Sequence, residues 1–232
     1  MTQMVILAGG LGTRLGKLTK NIPKSMVLVD GKHFLHYQIS LIKKYGIKDI
    51  VLCVGHLSEK IEKYFGDGNA YGVKITYSKE EKELGTAGAI KNARKYLEKN
   101  FFVMYGDSYL PINYLYVQSS FENKNKLGLN VVFANNDKFD KSNVSIKDGF
   151  IQKYDKENNS KNMHYIDYGL SIFDKNVLDF IPDGKYDLGD LFNDLINKKQ
   201  LLAFETKERF YEIGSLKGLS EFENFIKRTS ST

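Results

Sequence analysis

The stretch from Leu7 to Met26 reads LAGGLGTRLGKLTKNIPKSM and follows directly on the apolar run MVILA at 4–8. An apolar run that stops at glycines reads as a buried strand entering a tight loop. With no side chains at Gly9, Gly10 and Gly12, backbone N–H groups can come close to a ligand, and phosphate is the natural candidate. Arg14 and, beyond Pro23, Lys24 add two cations able to grip a polyphosphate from one side. A tight turn carrying surface cations is the plainer alternative.

Two familiar phosphate motifs fail here on spacing. A P-loop would need glycine at position 11 and Ser or Thr at 18, ahead of and behind Gly16-Lys17, and both positions are leucine. The dinucleotide fingerprint is met by Gly10 and Gly12, but its third glycine is Leu15, and Pro23 with the basic run argues against it despite Asp30 at a plausible distance.

Outward from this loop, DIVLCVG (49–55), VKITY (73–77) and FFVMYG (101–106) read as further buried strands. Between them, FLHYQISLIKKYG (34–46) sets Leu35, Ile39 and Ile42 on one helical face, SEKIEKYFG (58–66) opens on a serine that could cap it, and GTAGAIKNARKYL (85–97) repeats apolar residues at helical spacing. Strands alternating with helices predict an α/β fold around a parallel sheet. After Asp107 the alternation loosens: LGLNVVFAN, GFIQKYD and IDYGLSIF read as strands, and DLGDLFNDLINKK and SLKGLSEFENFI as later helices. The sheet is therefore expected to be mixed, though mainly parallel. NNDKFDKSN and DKENNSKN read as surface loops.

The chain of 232 residues, 42% apolar and 27% charged, suffices for a substantial core. With no linker and no solenoid repeat, one domain over 1–232 is expected, a nucleotide-binding first half (about 1–110) joined to a sugar-phosphate-binding second half (about 111–232). No apolar stretch approaches the roughly 20 residues that span a bilayer, and MVILA is too short for a signal core, so no membrane insertion and a cytoplasmic location are expected. The single cysteine, Cys53, excludes an internal disulfide or a CxxC metal site. A net charge of +6 could suit nucleic acid, but the lysines are scattered among glutamates, which favours a solvated surface and small anions and predicts no nucleic-acid partner. His33, His36, His56 and His164 form no metal-ligand spacing. Homo-oligomerisation is left open.

LAGGLGTRL…PKSMV resembles the signature of the sugar 1-phosphate nucleotidylyltransferases, roughly LAGGxGTRLxxxTxxxPK. ELGTAGAIKNA (83–93), GDS (106–108), YDK (154–156), DYGLSIF (167–173) and YEIGS (211–215) extend the likeness in order along the whole chain. The resemblance implies a Rossmann-like three-layer sandwich of the nucleotide-diphospho-sugar transferase type. It also implies a reaction in which a sugar 1-phosphate oxygen attacks the α-phosphorus of a nucleoside triphosphate. Because that nucleophile is already ionised, such an enzyme needs positioning and charge neutralisation more than a general base.

On this resemblance, Leu7, Ala8, Gly9, Gly10, Gly12 and Thr13 would meet the nucleotide, Arg14 would brace its triphosphate, and Lys24 would sit between the reacting phosphates. Asp107, at the carboxyl end of a buried strand, would hold Mg²⁺. Glu212, in YEIGS where the family usually has aspartate, would be the second ligand, reaching one methylene further. Leu84, Gly85, Thr86 and Gly88 would let base and ribose lie against the start of a helix, a close helix contact being the alternative. Lys156 would meet the sugar phosphate, and Asp167, Tyr168 and Gly169 would line the sugar pocket, unless DYG is simply an exposed hairpin.

Glu80 and Glu81 precede LGTAG where family members reading thymine or uracil often have glutamine. A carboxylate can accept from the adjacent N1–H and N2–H of guanine but repels the carbonyls of a pyrimidine, so GTP is favoured, with dTTP, UTP and CTP as alternatives. A binding-only regulatory relative is the alternative from another class. A DxD-type glycosyltransferase is disfavoured because Asp107-Ser108-Tyr109 lacks the second carboxylate.

Overall fold

The computed structural model describes residues 3–10, 12–157 and 163–230; the side chains of Thr13, Arg14, Lys17 and Ser230 lie outside that description. Strand β1 (Gln3–Leu7) is buried on both faces, with Met4 and Ile6 in one hydrophobic layer and Val5 in the other. This is the burial expected of a central strand. A 3₁₀ segment (Thr13–Thr19) and a hairpin of β2 (Leu28–Val29) and β3 (Lys32–His33) lead into α1 (Phe34–Lys44), where Leu35, Ile39 and Ile42 are buried as their spacing predicts. There follow β4 (Asp49–Val54), α2 (Ser58–Phe65), β5 (Lys74–Lys79), α3 (Gly85–Asn92), β6 (Asn100–Tyr105) and the short β7 (Ser108–Tyr109). The second half comprises α4 (Tyr114–Phe121), β8 (Gly128–Ala134), β9 (Val144–Lys147), β10 (Phe150–Tyr154), β11 (Tyr165–Asp174), α5 (Leu188–Asn197), β12 (Leu201–Thr206), β13 (Tyr211–Glu212) and α6 (Leu216–Ser230).

Nine strands form one mixed sheet in the order β5-β4-β1-β6-β11-β8-β12-β10-β9. The pairings β5–β4, β4–β1, β1–β6 and β8–β12 are parallel, whereas β6–β11, β11–β8, β12–β10 and β10–β9 are antiparallel. The parallel strands thus cluster in the first half, where helices alternate with strands. Helices α1, α2 and α4 cover one face through Ile39, Ile61 and Val117, and α3 and α5 cover the other through Ile90, Leu191 and Leu195. The result is the three-layer α/β sandwich expected from the sequence. A third cluster, Leu15, Val27, Phe34, Ile213, Phe222 and Ile226, fastens α6 beside the hairpin.

Local details differ from expectation. Ser58 is the first helical residue of α2 rather than its cap; Leu57, left-handed at φ 60°, occupies the cap position and makes no side-chain bond. The helix expected over 85–97 stops at Asn92 and continues as a 3₁₀ turn, Arg94–Tyr96. The expected surface loop NNDKFDKSN is tied down: Asn135 and Ser142 are buried, and the Asn135 amide donates to the Asp140 carbonyl and the Ser142 hydroxyl. Among the described residues no helix is long and apolar enough to cross a membrane.

Candidate active site

The chain leaves β1 towards β4 and β5 on one side and returns to β6 on the other, so the loops after β1 and β6 diverge. Open α/β sheets bind ligands at such a switch point, beyond the carboxyl ends of the strands. A cavity of about 670 Å³ opens there, within the roughly 300–1,000 Å³ usual for small-molecule sites. Leu7, Ala8, Gly9, Gly10 and Gly12 line it from the β1 side, Lys24 from the segment after the 3₁₀ turns, and Gly106 and Asp107 from the end of β6. Glu80, Glu81, Gly85 and Thr86 close it between β5 and α3. Gly12 adopts φ +65°, and a Cβ there would lie 3.1 Å from the Cβ of Lys24, so glycine is what lets the loop fold back over the lysine. Thr13 and Arg14 begin the 3₁₀ segment, but the contacts expected of their side chains lie outside the described residues.

At the cavity floor the Lys24 ammonium donates to Asp107 Oδ2 as an ion pair, the two side chains being 13% and 26% exposed. Ser108 donates its hydroxyl to Asp107 Oδ1 at 3.3 Å. Among the described residues no group of three or more His, Cys, Asp or Glu side chains could hold a metal ion unaided. A single carboxylate still suits Mg²⁺, which is commonly held by one or two carboxylates together with substrate phosphates. Asp107, a hard oxygen donor inside the cavity, fits that requirement.

Glu212 does not join it. Strand β13 pairs Glu212 with Ser108, and the Ile213 N–H donates to the Asp107 carbonyl at 2.9 Å, so the backbones are adjacent. The Glu212 carboxylate, however, turns to the start of α6 and accepts from the Gly214 N–H and the Ser215 hydroxyl, while Ser215 Oγ accepts from the Gly218 N–H at 3.0 Å. The expected role of Glu212 as a second metal ligand finds no support in this arrangement. Ser215 caps the first turn of α6 through the Gly218 N–H, and Glu212 holds the Ser215 hydroxyl in place for that contact.

Glu80 leaves β5 with its N–H bonded to the Val54 carbonyl at 2.9 Å. Its Oε2 accepts from the Leu84 N–H at 3.0 Å, and its Oε1 lies so near Gly9 that a Cβ there would be 2.6 Å away. Burial pushes the Glu80 carboxyl up from the usual glutamate range, with the Leu84 hydrogen bond opposing. Glu81 is exposed at the rim.

The start of α3 is occupied from within the chain. Thr86 donates its N–H (3.0 Å) and hydroxyl (3.2 Å) to Asp187 Oδ1, and the Ala87 and Gly88 N–H groups donate to the Tyr186 carbonyl at 2.9 and 3.0 Å. A Cβ on Gly88 would fall 2.9 Å from the Gly184 carbonyl, and the Leu84 carbonyl accepts from the Tyr186 N–H. Leu84 and Gly88 therefore dock the 184–187 segment and do not line the cavity, which corrects their expected nucleotide contact. Asp187 is a cavity residue that sequence reading missed, because its partner Thr86 is 101 positions away. Tyr105, immediately before the GDS motif, was missed too.

Beyond β6, β11 loses register with β8 between Asp167 and Ser171, an irregularity of the kind that re-aims side chains near active sites. Asp167 Oδ1 accepts from the Asn130 amide (3.1 Å) and the Gly169 N–H (3.0 Å), and Oδ2 accepts from the Tyr154 hydroxyl (3.2 Å). Gly169 abuts Tyr105 and Ser108. The exposed Lys156 places its ammonium 5.4 Å from the Tyr105 ring centroid and 5.7 Å from that of Tyr154. Burial, and then the nearby Asp167 carboxylate, push both phenols well up, so they stay protonated donors. Tyr168 alternates to the opposite face of β11 and is buried against Phe210, which corrects its placement in the sugar pocket.

A nucleotidyl transferase family model matches residues 3–229. A D-glycero-alpha-D-manno-heptose 1-phosphate guanylyltransferase of Campylobacter jejuni is 33% identical over 214 residues, covering 91% of this chain and 94% of the relative. The crystal structure of HddC from Yersinia pseudotuberculosis complexed with GMP-PN superposes with a TM-score of 0.81 at 28% identity, covering 97% of this chain and all of that one. The inositol-1-phosphate CTP transferase of T. maritima, at TM-score 0.84 and 24% identity over 98% of this chain and 95% of its own, shares the fold. The chain belongs to the nucleotidyl transferase family. Within it, the sequence is similar to the sugar 1-phosphate nucleotidylyltransferases, guanylyltransferases among them.

Proposed function

We propose that this nucleotidyltransferase transfers GMP from GTP to D-glycero-α-D-manno-heptose 1-phosphate, giving GDP-heptose and pyrophosphate for surface polysaccharide synthesis in the cytoplasm. The observation that carries the guanine assignment is Glu80: a half-buried carboxylate in the cavity, pinned by the Leu84 N–H, is a preset acceptor for paired N–H donors. The heptose rests on the relatives, two of which carry that activity in their names.

A phosphate oxygen of the sugar 1-phosphate attacks the α-phosphorus of GTP, forming a new P–O bond as the bond to the β-phosphate oxygen breaks and pyrophosphate departs. Lys24 faces the cavity beside Asp107, where its ammonium can exchange the carboxylate for phosphate oxygens. Neutralising charge that builds up between converging anions is the main catalytic contribution open to this site. Arg14 would add a second cation on the triphosphate. The glycines of the β1 loop let the nucleotide lie against backbone. Asp107 would hold Mg²⁺, which when bound would supply further charge neutralisation. Lys156 receives the sugar phosphate, and Asp167 with Gly169 bounds the sugar.

The test is base selectivity in Glu80→Gln. Mixing donor and acceptor at this position should lower kcat/KM for GTP by roughly ten- to hundred-fold while leaving UTP unchanged or improved. An unaltered GTP preference would place base recognition elsewhere.

A further inference from the structure

A lysine on an exposed loop loses much of its rotamer freedom when it is fixed on a ligand. Lys156 lies two residues beyond Tyr154, the last residue of β10, and its ammonium is suspended over two aromatic rings, Tyr105 from β6 and Tyr154. Both separations fall within the roughly 6 Å over which a ring face attracts a cation. The rings are themselves held. Tyr154 packs edge-on against Phe192 of α5 at 5.0 Å, and its hydroxyl bonds to Asp167. Tyr105 abuts Gly169.

We propose that Tyr105 and Tyr154 form an aromatic seat that holds the Lys156 ammonium at the edge of the cavity, making Tyr105 a positioning residue for recognition of the sugar phosphate. This rests on the assignment of Lys156 to that phosphate. A ring face suits the purpose better than a carboxylate, because it orients the cation without neutralising it and leaves its N–H donors for the incoming anion. Tyr105 also lines the nucleotide cavity, so the seat stands where the two substrates meet.

Two readouts test the seat. In protein carrying ¹³C-labelled lysine, the Lys156 ε-methylene signal, identified by its loss in Lys156→Ala, should be shifted upfield by ring currents. Tyr105→Leu should move it about half of the way to the free-lysine position, the Tyr154 ring remaining, while Tyr105→Phe, which keeps the ring, should not. Tyr105→Met provides the same comparison if leucine impairs folding. With the sugar 1-phosphate that the wild type turns over, Tyr105→Leu should raise its KM roughly three- to five-fold, with KM for GTP within about twofold and Tyr105→Phe near wild type. An unshifted Lys156 signal in the wild type, or equal effects of leucine and phenylalanine, overturns the seat. Lys156→Ala with an unchanged KM for the sugar phosphate overturns its role in recognition. The spectra need no turnover, so a wild type inactive on every substrate pair would refute the proposed reaction while the seat was still judged.

Discussion

Asp187 joins two helices at the wall of the nucleotide cavity, and replacing it with alanine should loosen both. Its Oδ1 accepts the N–H and hydroxyl of Thr86 in the first turn of α3, and with Asp190 it forms the capping box of α5. Thr86 Oγ1 in turn accepts from the Leu188 N–H at 2.7 Å, so the contact is reciprocal. An N-cap carboxylate contributes about 1 kcal/mol, and a negative charge beside a helix start adds about 0.3–1 kcal/mol. Asp187 is exposed and water can reach the freed amides, so two caps together come to about 2 kcal/mol. For a domain of this length each kcal/mol moves Tm by about 2–4 °C, giving a fall of about 4–8 °C in Asp187→Ala. Asp187→Asn keeps an acceptor and should lose less than half as much. Thermal unfolding followed by circular dichroism measures both. A fall of under about 1 °C for alanine, or asparagine as damaging as alanine, would refute the double-cap argument.

Lys24→Ala should lower kcat on the order of 10²–10³-fold, with a far smaller effect on Tm, read from pyrophosphate release and thermal unfolding on the same preparation. Glu212→Ala should lower Tm through loss of the Gly214 and Ser215 contacts and leave the Mg²⁺ concentration dependence of turnover unchanged; a shifted Mg²⁺ requirement would return Glu212 to the metal. Glu80→Gln should alter stability in a pH-dependent way. Because the folded state raises the Glu80 pKa, the charged form is penalised on folding; that penalty is absent below the unfolded glutamate pKa and complete above the folded one. The variant should therefore gain Tm relative to wild type at neutral pH, and the gain should vanish as the medium is made acid enough to protonate glutamate in both states.

The first half of the fold was legible because β1, β4, β5 and β6 are near-continuous apolar runs and α1 shows a clear helical stripe. The two-residue strands β2, β3, β7 and β13 are too short to show any period, and three longer elements also escaped. The β9 sequence VSIK is only four residues long, LLAFET of β12 follows a helix with no turn signal, and YLYVQSSF of α4 crowds its apolar residues at one end, so no period emerges. Within the site, the glycine loop, Lys24 and Asp107 were legible because their chemistry is local to a motif. The Tyr168 error was avoidable: in a strand, Asp167 and Gly169 share one face and Tyr168 must take the other. Glu212 could not be placed from sequence, since two partners, a metal and a helix start, suit a carboxylate equally. Asp187 and Tyr105 act through residues distant in the chain, which composition and spacing do not reveal.

The most direct measurement is pyrophosphate release with Mg²⁺, across GTP, dTTP, UTP and CTP, each paired with heptose, mannose, glucose and N-acetylmuramate 1-phosphates. Release should be confined to GTP with D-glycero-α-D-manno-heptose 1-phosphate and abolished in Asp107→Ala. Release with a pyrimidine triphosphate in preference to GTP would contradict the reading of Glu80, and no release from any pair would contradict the proposed reaction itself.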